Sequence, residues 1–158
     1  QYKAYQTWRQ GFAMYQTGNY DMAISNYVLA YPELKDNGMF LTHYGKALTM
    51  AEEWKEGIKI LHEAKQWFSD PVVYTSLGDC YKGMKQYKKT EQAYRHARNV
   101  IPNRFYPSYL LAKLYHETKQ KQKAMQTAKQ VLKKETKVPS RAVEEIKNEM
   151  REIINKNR

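Results

Sequence analysis

The stretch that decides the fold is Leu77-Gly78-Asp79-Cys80-Tyr81-Lys82-Gly83-Met84-Lys85-Gln86-Tyr87-Lys88-Lys89-Thr90-Glu91-Gln92-Ala93-Tyr94-Arg95-His96-Ala97. Gly78 sits in an apolar-periodic run, a polar turn follows at Met84-Lys85-Gln86, and Tyr87 reopens the apolar pattern. A small residue, Thr90, stands twelve positions after Gly78; a large one, Tyr94, comes four later, and Ala97 three beyond that. Moving outward, the same series recurs from Gly11, Gly45 and Ala112, at spacings of 34, 33 and 34 residues.

The other registers carry turns at Gly18-Asn19, Ala51-Glu52-Glu53 and Thr118-Lys119-Gln120. Tyr20 and Trp54 follow the first two turns, and Lys121 takes that place in the last. The small position is Ala23, Gly57 and Ala124; the large one is Tyr27 and Leu61, with Ala128 in the last register; Ala30, Ala64 and Val131 complete the series. A period of this length is the signature of stacked supersecondary units. Small side chains at the anchor and twelve positions on let two helices approach closely, and the large residue is expected to fill the space between hairpins. One hairpin cannot bury its apolar face alone, so neighbours must stack.

This register resembles the tetratricopeptide repeat family over roughly residues 3–134. The resemblance implies an all-α, right-handed superhelical solenoid of four helix-turn-helix repeats, at about 3–34, 37–68, 70–102 and 104–134, closed by a capping helix over 137–158. Helices are expected near 3–16, 20–31, 38–51, 54–67, 71–84, 87–100, 106–118 and 121–133, the second ending early at Tyr31-Pro32. Asp70-Pro71 is a start signal, an N-cap followed by Pro at the first helical position. In the last helix Ala142, Val143, Ile146, Met150, Ile153 and Ile154 share one face, backed by Glu144, Glu145, Lys147, Glu149 and Arg151.

In the family, the first helix of each hairpin lines a concave groove. Carried across, the groove positions are Tyr5, Trp8, Phe12 and Tyr15; Thr42, Lys46, Thr49 and Met50; Val72, Thr75, Asp79 and Lys82; and Tyr106, Tyr109, Lys113 and His116. Such a groove is aromatic at one end with Lys46, Lys82 and Lys113 along its floor. It suits a protein or an acidic peptide, or an anionic glycan stacking on the rings. Alternatively, Trp8 and Phe12 pack against whatever precedes residue 1; starting at Gln in place of Met, the chain is expected to be either a processed product or a piece of a longer protein. Asp79 stands where a carboxylate clamp for chaperone tails would need Asn.

Three stretches are similar to the C-terminal soluble repeat region of bacterial O-antigen ligase/polymerase-like membrane proteins: Tyr31-Pro32-Glu33-Leu34-Lys35-Asp36-Asn37-Gly38-Met39-Phe40-Leu41, Ile101-Pro102-Asn103-Arg104-Phe105-Tyr106-Pro107, and Lys137-Val138-Pro139-Ser140. That resemblance implies a domain outside the cytoplasm, at the periplasmic face of the inner membrane, attached to a protein that handles lipid-linked polysaccharide. Without it the expected location is the cytoplasm.

Composition narrows the remaining classes. Hydrophobic residues make up 42% and charged residues 27% of the 158, a globular balance with no run approaching the ~20 apolar residues of a membrane span. Residues 1–79 hold 7 Lys and Arg against 9 Asp and Glu, whereas residues 80–158 hold 20 against 7. The basic half admits nucleic-acid binding as a further alternative, but its lysines are spread round several helices rather than gathered in one stripe. His43, His62, His96 and His116 lack metal spacing and are read as surface or packing residues. Cys80 is the one cysteine and reads as a small core residue. No Gly-rich phosphate loop and no nucleophile elbow occur, so the segment is read as non-catalytic, with no metal and no cofactor expected.

Overall fold

The structure, a computed structural model, describes residues 2–134 and 138–158, and among these it contains nine α-helices and no strand. They are α1 (Tyr2–Gln16), α2 (Tyr20–Leu34), α3 (Gly38–Met50), α4 (Trp54–Ala64), α5 (Pro71–Gly83), α6 (Tyr87–Val100), α7 (Tyr106–Glu117), α8 (Lys121–Lys133) and α9 (Arg141–Lys156). The expected boundary between repeats and capping helix, at 136–137, lies outside the described residues.

The four hairpin turns share one geometry. Gly18, Glu52, Lys85 and Lys119 all adopt positive φ, between 60° and 82°, and each stands seven residues after its anchor. The residue after each donates its N–H five residues back: Asn19 to Met14, Glu53 to Leu48, Gln86 to Tyr81, and Gln120 to Tyr115. This is the Schellman arrangement, which closes a helix by satisfying its last carbonyls through one left-handed residue. Only the first turn uses Gly, the residue that adopts positive φ without Cβ strain. Helix starts are fixed by side-chain caps: Asn19 accepts from the Met22 N–H, Asn37 from Phe40, Asp70 from Val72 and Ser140 from Val143.

The anchors explain how the paired helices meet. A Cβ on Gly11 would lie 2.7 Å from the Tyr27 ring, and one on Gly45 would overlap the Leu61 side chain. The large residue sixteen positions on therefore sits over the bare backbone of its own hairpin, where filling between hairpins was expected. Tyr27 does both, because its ring also meets Phe40 edge-on at 5.7 Å and Tyr44 at 5.8 Å on the following hairpin. Ala23, Thr90 and Ala124, the small residues twelve positions on, are fully buried. Two further glycines serve close approach: the Trp54 indole lies on Gly83, and the chain at Trp67 and Phe68 crosses tight against Gly38.

Two helix ends differ from expectation. α2 runs through Pro32 to Leu34, because Leu34 is buried and Tyr31 donates a 2.5 Å hydrogen bond to Glu63 on α4. These contacts hold the last turn despite the donor that Pro32 lacks. α4 stops at Ala64, three residues short, where the chain turns to pass over Gly38.

The chain divides into two compact units, residues 1–93 and 94–158, with the division inside α6. In unit 1 the α1/α2 hairpin packs on α3/α4, which packs on α5. Its core is built from Tyr27, Phe40, Leu41, Ile60, Leu61 and Val73. In unit 2, α7 and α8 form a hairpin on which α9 lies, burying Met150, Ile153 and Ile154 with Leu111, Leu114 and Val131. Each such large side chain contributes about 1.5–3 kcal/mol by leaving water.

Gly45→Ala is expected to lower stability by about 1–3 kcal/mol through overpacking against Leu61, outweighing the gain in helix propensity. The double variant Gly45→Ala/Leu61→Ala should lose less than the sum of the two single losses in urea melts. Tyr27 carries a fully buried hydroxyl with no hydrogen-bond partner. Tyr27→Phe should consequently leave stability unchanged or raise it by about 1 kcal/mol, since an unsatisfied buried donor costs about that much or more.

Candidate functional site

Unit 1 gathers its ring-bearing residues into a ladder along α1 and α3. Positions 5, 8, 12 and 15 follow one another at three- and four-residue steps, so a helix sets them on one face. Tyr5 meets Trp8 at 5.9 Å, and Trp8 packs edge-on against Phe40 at 5.7 Å and His43 at 5.6 Å. Phe12 stacks on His43 at 4.7 Å and lies parallel to Tyr15 at 6.3 Å. Lys46 stands 5.9 Å over the Tyr15 ring. Phe12 and Tyr15 stay half-buried and Tyr5 is exposed, which leaves aromatic surface open beside a cation.

His43 is a rung that sequence reasoning read as a surface or packing residue. Its Nδ1 accepts the Trp8 indole N–H at 3.0 Å, a bond that requires the neutral imidazole with its proton on Nε2. Burial, and then the Lys46 charge, hold its pKa below the usual value. Positions two before the other anchors are Arg9, Ser76 and Leu110, so no register marks His43 as special.

The remaining expected positions divide between roles. Met50 is exposed on α3, and Lys82 is half-buried on α5. Thr42, Thr49 and Thr75 turn into the core instead of the open face, their hydroxyls bonded to the carbonyls of Gly38, Gly45 and Val72. Thr49 also lies 3.1 Å from Cys80, whose thiol pKa is pushed up, first by burial. Lys113 belongs to unit 2, so the lysine floor is not gathered within one unit.

In unit 2 three of the α7 positions, Tyr109, Lys113 and His116, meet α9 or its C-cap, while Tyr106 is exposed. Tyr109 is buried and donates to Glu149 at 3.0 Å, and burial together with that bond pushes its pKa to about 12. Lys113 lies 3.9 Å from Glu149 and 5.1 Å over the Tyr109 ring, and His116 bonds Asn157 at 3.0 Å. An acid from the chain's own last helix thus occupies the place expected for an acidic ligand. Among the described residues no group of three or more His, Cys, Asp or Glu could hold a metal, and no helix is long and apolar enough to cross a membrane.

Comparison with known proteins bears on this geometry. The tetratricopeptide repeat family profile matches residues 72–103 and 108–133. Those two segments are similar to the tetratricopeptide repeat. Solved structures extend the likeness to the whole fold. MamA from Desulfovibrio magneticus RS-1 superposes with a TM-score of 0.77 at 18% identity, over 82% of this chain and 73% of that one. TTC0263, a thermophilic tetratricopeptide protein of Thermus thermophilus, gives 0.74 at 16% identity, over 93% and 80%. The first tetratricopeptide domain of human RPAP3 gives 0.67 at 18%, over 75% and 94%. At these identities the likeness is one of fold: all-α, of the tetratricopeptide solenoid class. No curated protein sequence matches the chain.

His43 and His62 both titrate below the ordinary histidine value, chiefly because burial disfavours their charged forms. The unfolded chain therefore binds more protons in the window below about pH 6.5, and stability rises with pH there. Melting temperature should be flat above about pH 7 and fall as pH drops through the folded pKa values. His43→Gln should flatten part of that slope, and a wild-type profile level from about pH 7 to about pH 5 would remove the assignment.

Proposed function

We propose that the chain is a non-catalytic protein-interaction module, and that the ladder of unit 1 holds an extended acidic peptide from a partner. The observation that carries this is the row Trp8, His43, Phe12 and Tyr15 ending at Lys46: rings for a chain to lie against, with a cation beside them. Aromatic anchors supply contact area at low entropic cost, and a nearby Lys selects for negative charge. The tetratricopeptide fold supports the same reading, because it presents helix faces rather than an enclosed reaction cavity. An anionic glycan stacking on the rings is the alternative occupant.

The three stretches similar to O-antigen ligase/polymerase-like proteins support a finer proposal. In it, the module is the extracytoplasmic tail of a membrane protein of surface-polysaccharide assembly and works at the periplasmic face of the inner membrane. Cross-linking in cells that make the full-length protein tests it: envelope proteins should be recovered, and recovery of cytosolic chaperones alone would refute it.

Peptides selected on the whole chain from a random display library should be enriched in Asp and Glu. In calorimetric titration Phe12→Ala should weaken the best of them about tenfold or more, the loss expected of an aromatic anchor. Lys46→Ala should weaken it severalfold and reduce its salt dependence. Unchanged affinity in both folded variants would rule the ladder out, and preference for an acidic oligosaccharide over every peptide would favour the glycan.

A further inference from the structure

Unit 2 carries a second concave feature that the ladder does not explain. A cavity of about 270 Å³ lies between the C-terminal part of α6 and α8, lined by Arg95, Arg98, Lys123, Gln126, Thr127 and Gln130, with Tyr115 of α7 behind them. Its lining carries three formal positive charges, two amides and two hydroxyls, those of Thr127 and Tyr115, and no carboxylate. Its volume falls just short of the ~300 Å³ at which drug-sized ligand sites begin, which suits a small polar group.

One contact holds a lining charge in place, and a lysine outside the lining stands near Arg98. The Lys123 ammonium lies 5.5 Å over the ring of Tyr115, which shares the cavity lining with it. Lys134 turns to the carbonyls of Pro102 and Arg104, at 2.7 and 3.5 Å. Burial lowers its pKa, and the charge of Arg98 lowers it further. Arg98 stands in the last turn of α6, where the helix dipole favours a cation.

We infer that this cavity is a phosphate site, taking a dianionic phosphate monoester or the free phosphate ion between Arg98, Arg95 and Lys123. Arginine forks match phosphate oxygens two at a time, and the amides and hydroxyls add neutral donors. A phosphate group brings three acceptor oxygens and about −1.5 to −2 of charge at neutral pH, against two oxygens and a single charge for a carboxylate, and so answers Arg98 and Lys123 together. The group arrives either as free inorganic phosphate or on a phosphorylated side chain of a partner protein.

The test is a titration of the whole isotope-labelled chain with inorganic phosphate, with a phosphoserine peptide, and with the same peptide unphosphorylated. Phosphate should shift resonances of Arg98, Lys123 and Thr127, and the unphosphorylated peptide should shift none of them. Tighter binding of the phosphopeptide than of free phosphate assigns the source to a partner protein; equal binding assigns it to the free ion. Arg98→Ala and Lys123→Ala should each weaken binding about tenfold or more, Arg98→Lys less, and Phe12→Ala not at all. No shift with phosphate would overturn the site. So would binding to single-stranded DNA or heparin that grows with polymer length and survives Arg98→Ala/Lys123→Ala, since that marks diffuse polyanion attraction.

Discussion

The fold depends on one constraint: the two helices of a hairpin close where the anchor is bare or a single methyl and the residue sixteen positions on fits the space that leaves. Gly11 beneath Tyr27 and Gly45 beneath Leu61 are the direct instances. In unit 2 the pair becomes Ala112 and Ala128, both fully buried, a small residue on each side of the same register. Close-packed interiors tolerate little volume error, so this spacing rule propagates into helix length, turn position and period. The four Schellman turns standing seven residues after their anchors are the geometric result.

Because the rule commits small residues and large core residues to set positions, the others are free to vary. Repeat one places aromatic rings on the face of α1, and unit 1 becomes a ladder ending at Lys46. Repeats three and four carry lysines on their second helices, α6 and α8, and two of these take the same station in each hairpin. Lys89 lies over Tyr81 at 5.5 Å and Lys123 over Tyr115 at 5.5 Å, with each lysine eleven and each tyrosine three residues after its anchor. Part of the basic half is therefore bound up in hairpin packing. Other cations of that half serve the Glu149 contact of Lys113 and the cavity beside Arg98.

The period, the turns and the buried small residues were legible in sequence because each is local or recurs at a fixed offset. The helix ends at Leu34 and Ala64 were not. Pro32 reads as a stop unless Tyr31 and Leu34 are known to be held by tertiary contacts, and the close pass over Gly38 leaves no local signal. His43 was missed as a ladder rung for the same reason, since its role comes from Trp8, 35 residues away. Glu149 sits on what reads as the polar back of α9, yet its partner Tyr109 is 40 residues distant. Anchored patterns survive translation into structure; single long-range pairs do not announce themselves.

The most direct measurement of the interlock is a nuclear Overhauser spectrum of the folded chain in solution. Cross-peaks should join the Gly11 Hα protons to the Tyr27 ring and the Gly45 Hα protons to the Leu61 methyls, with the Gly11 protons displaced by the ring current. If those glycines instead showed contacts only to their own helices, the repeats would be held together by something other than small-against-bulky packing.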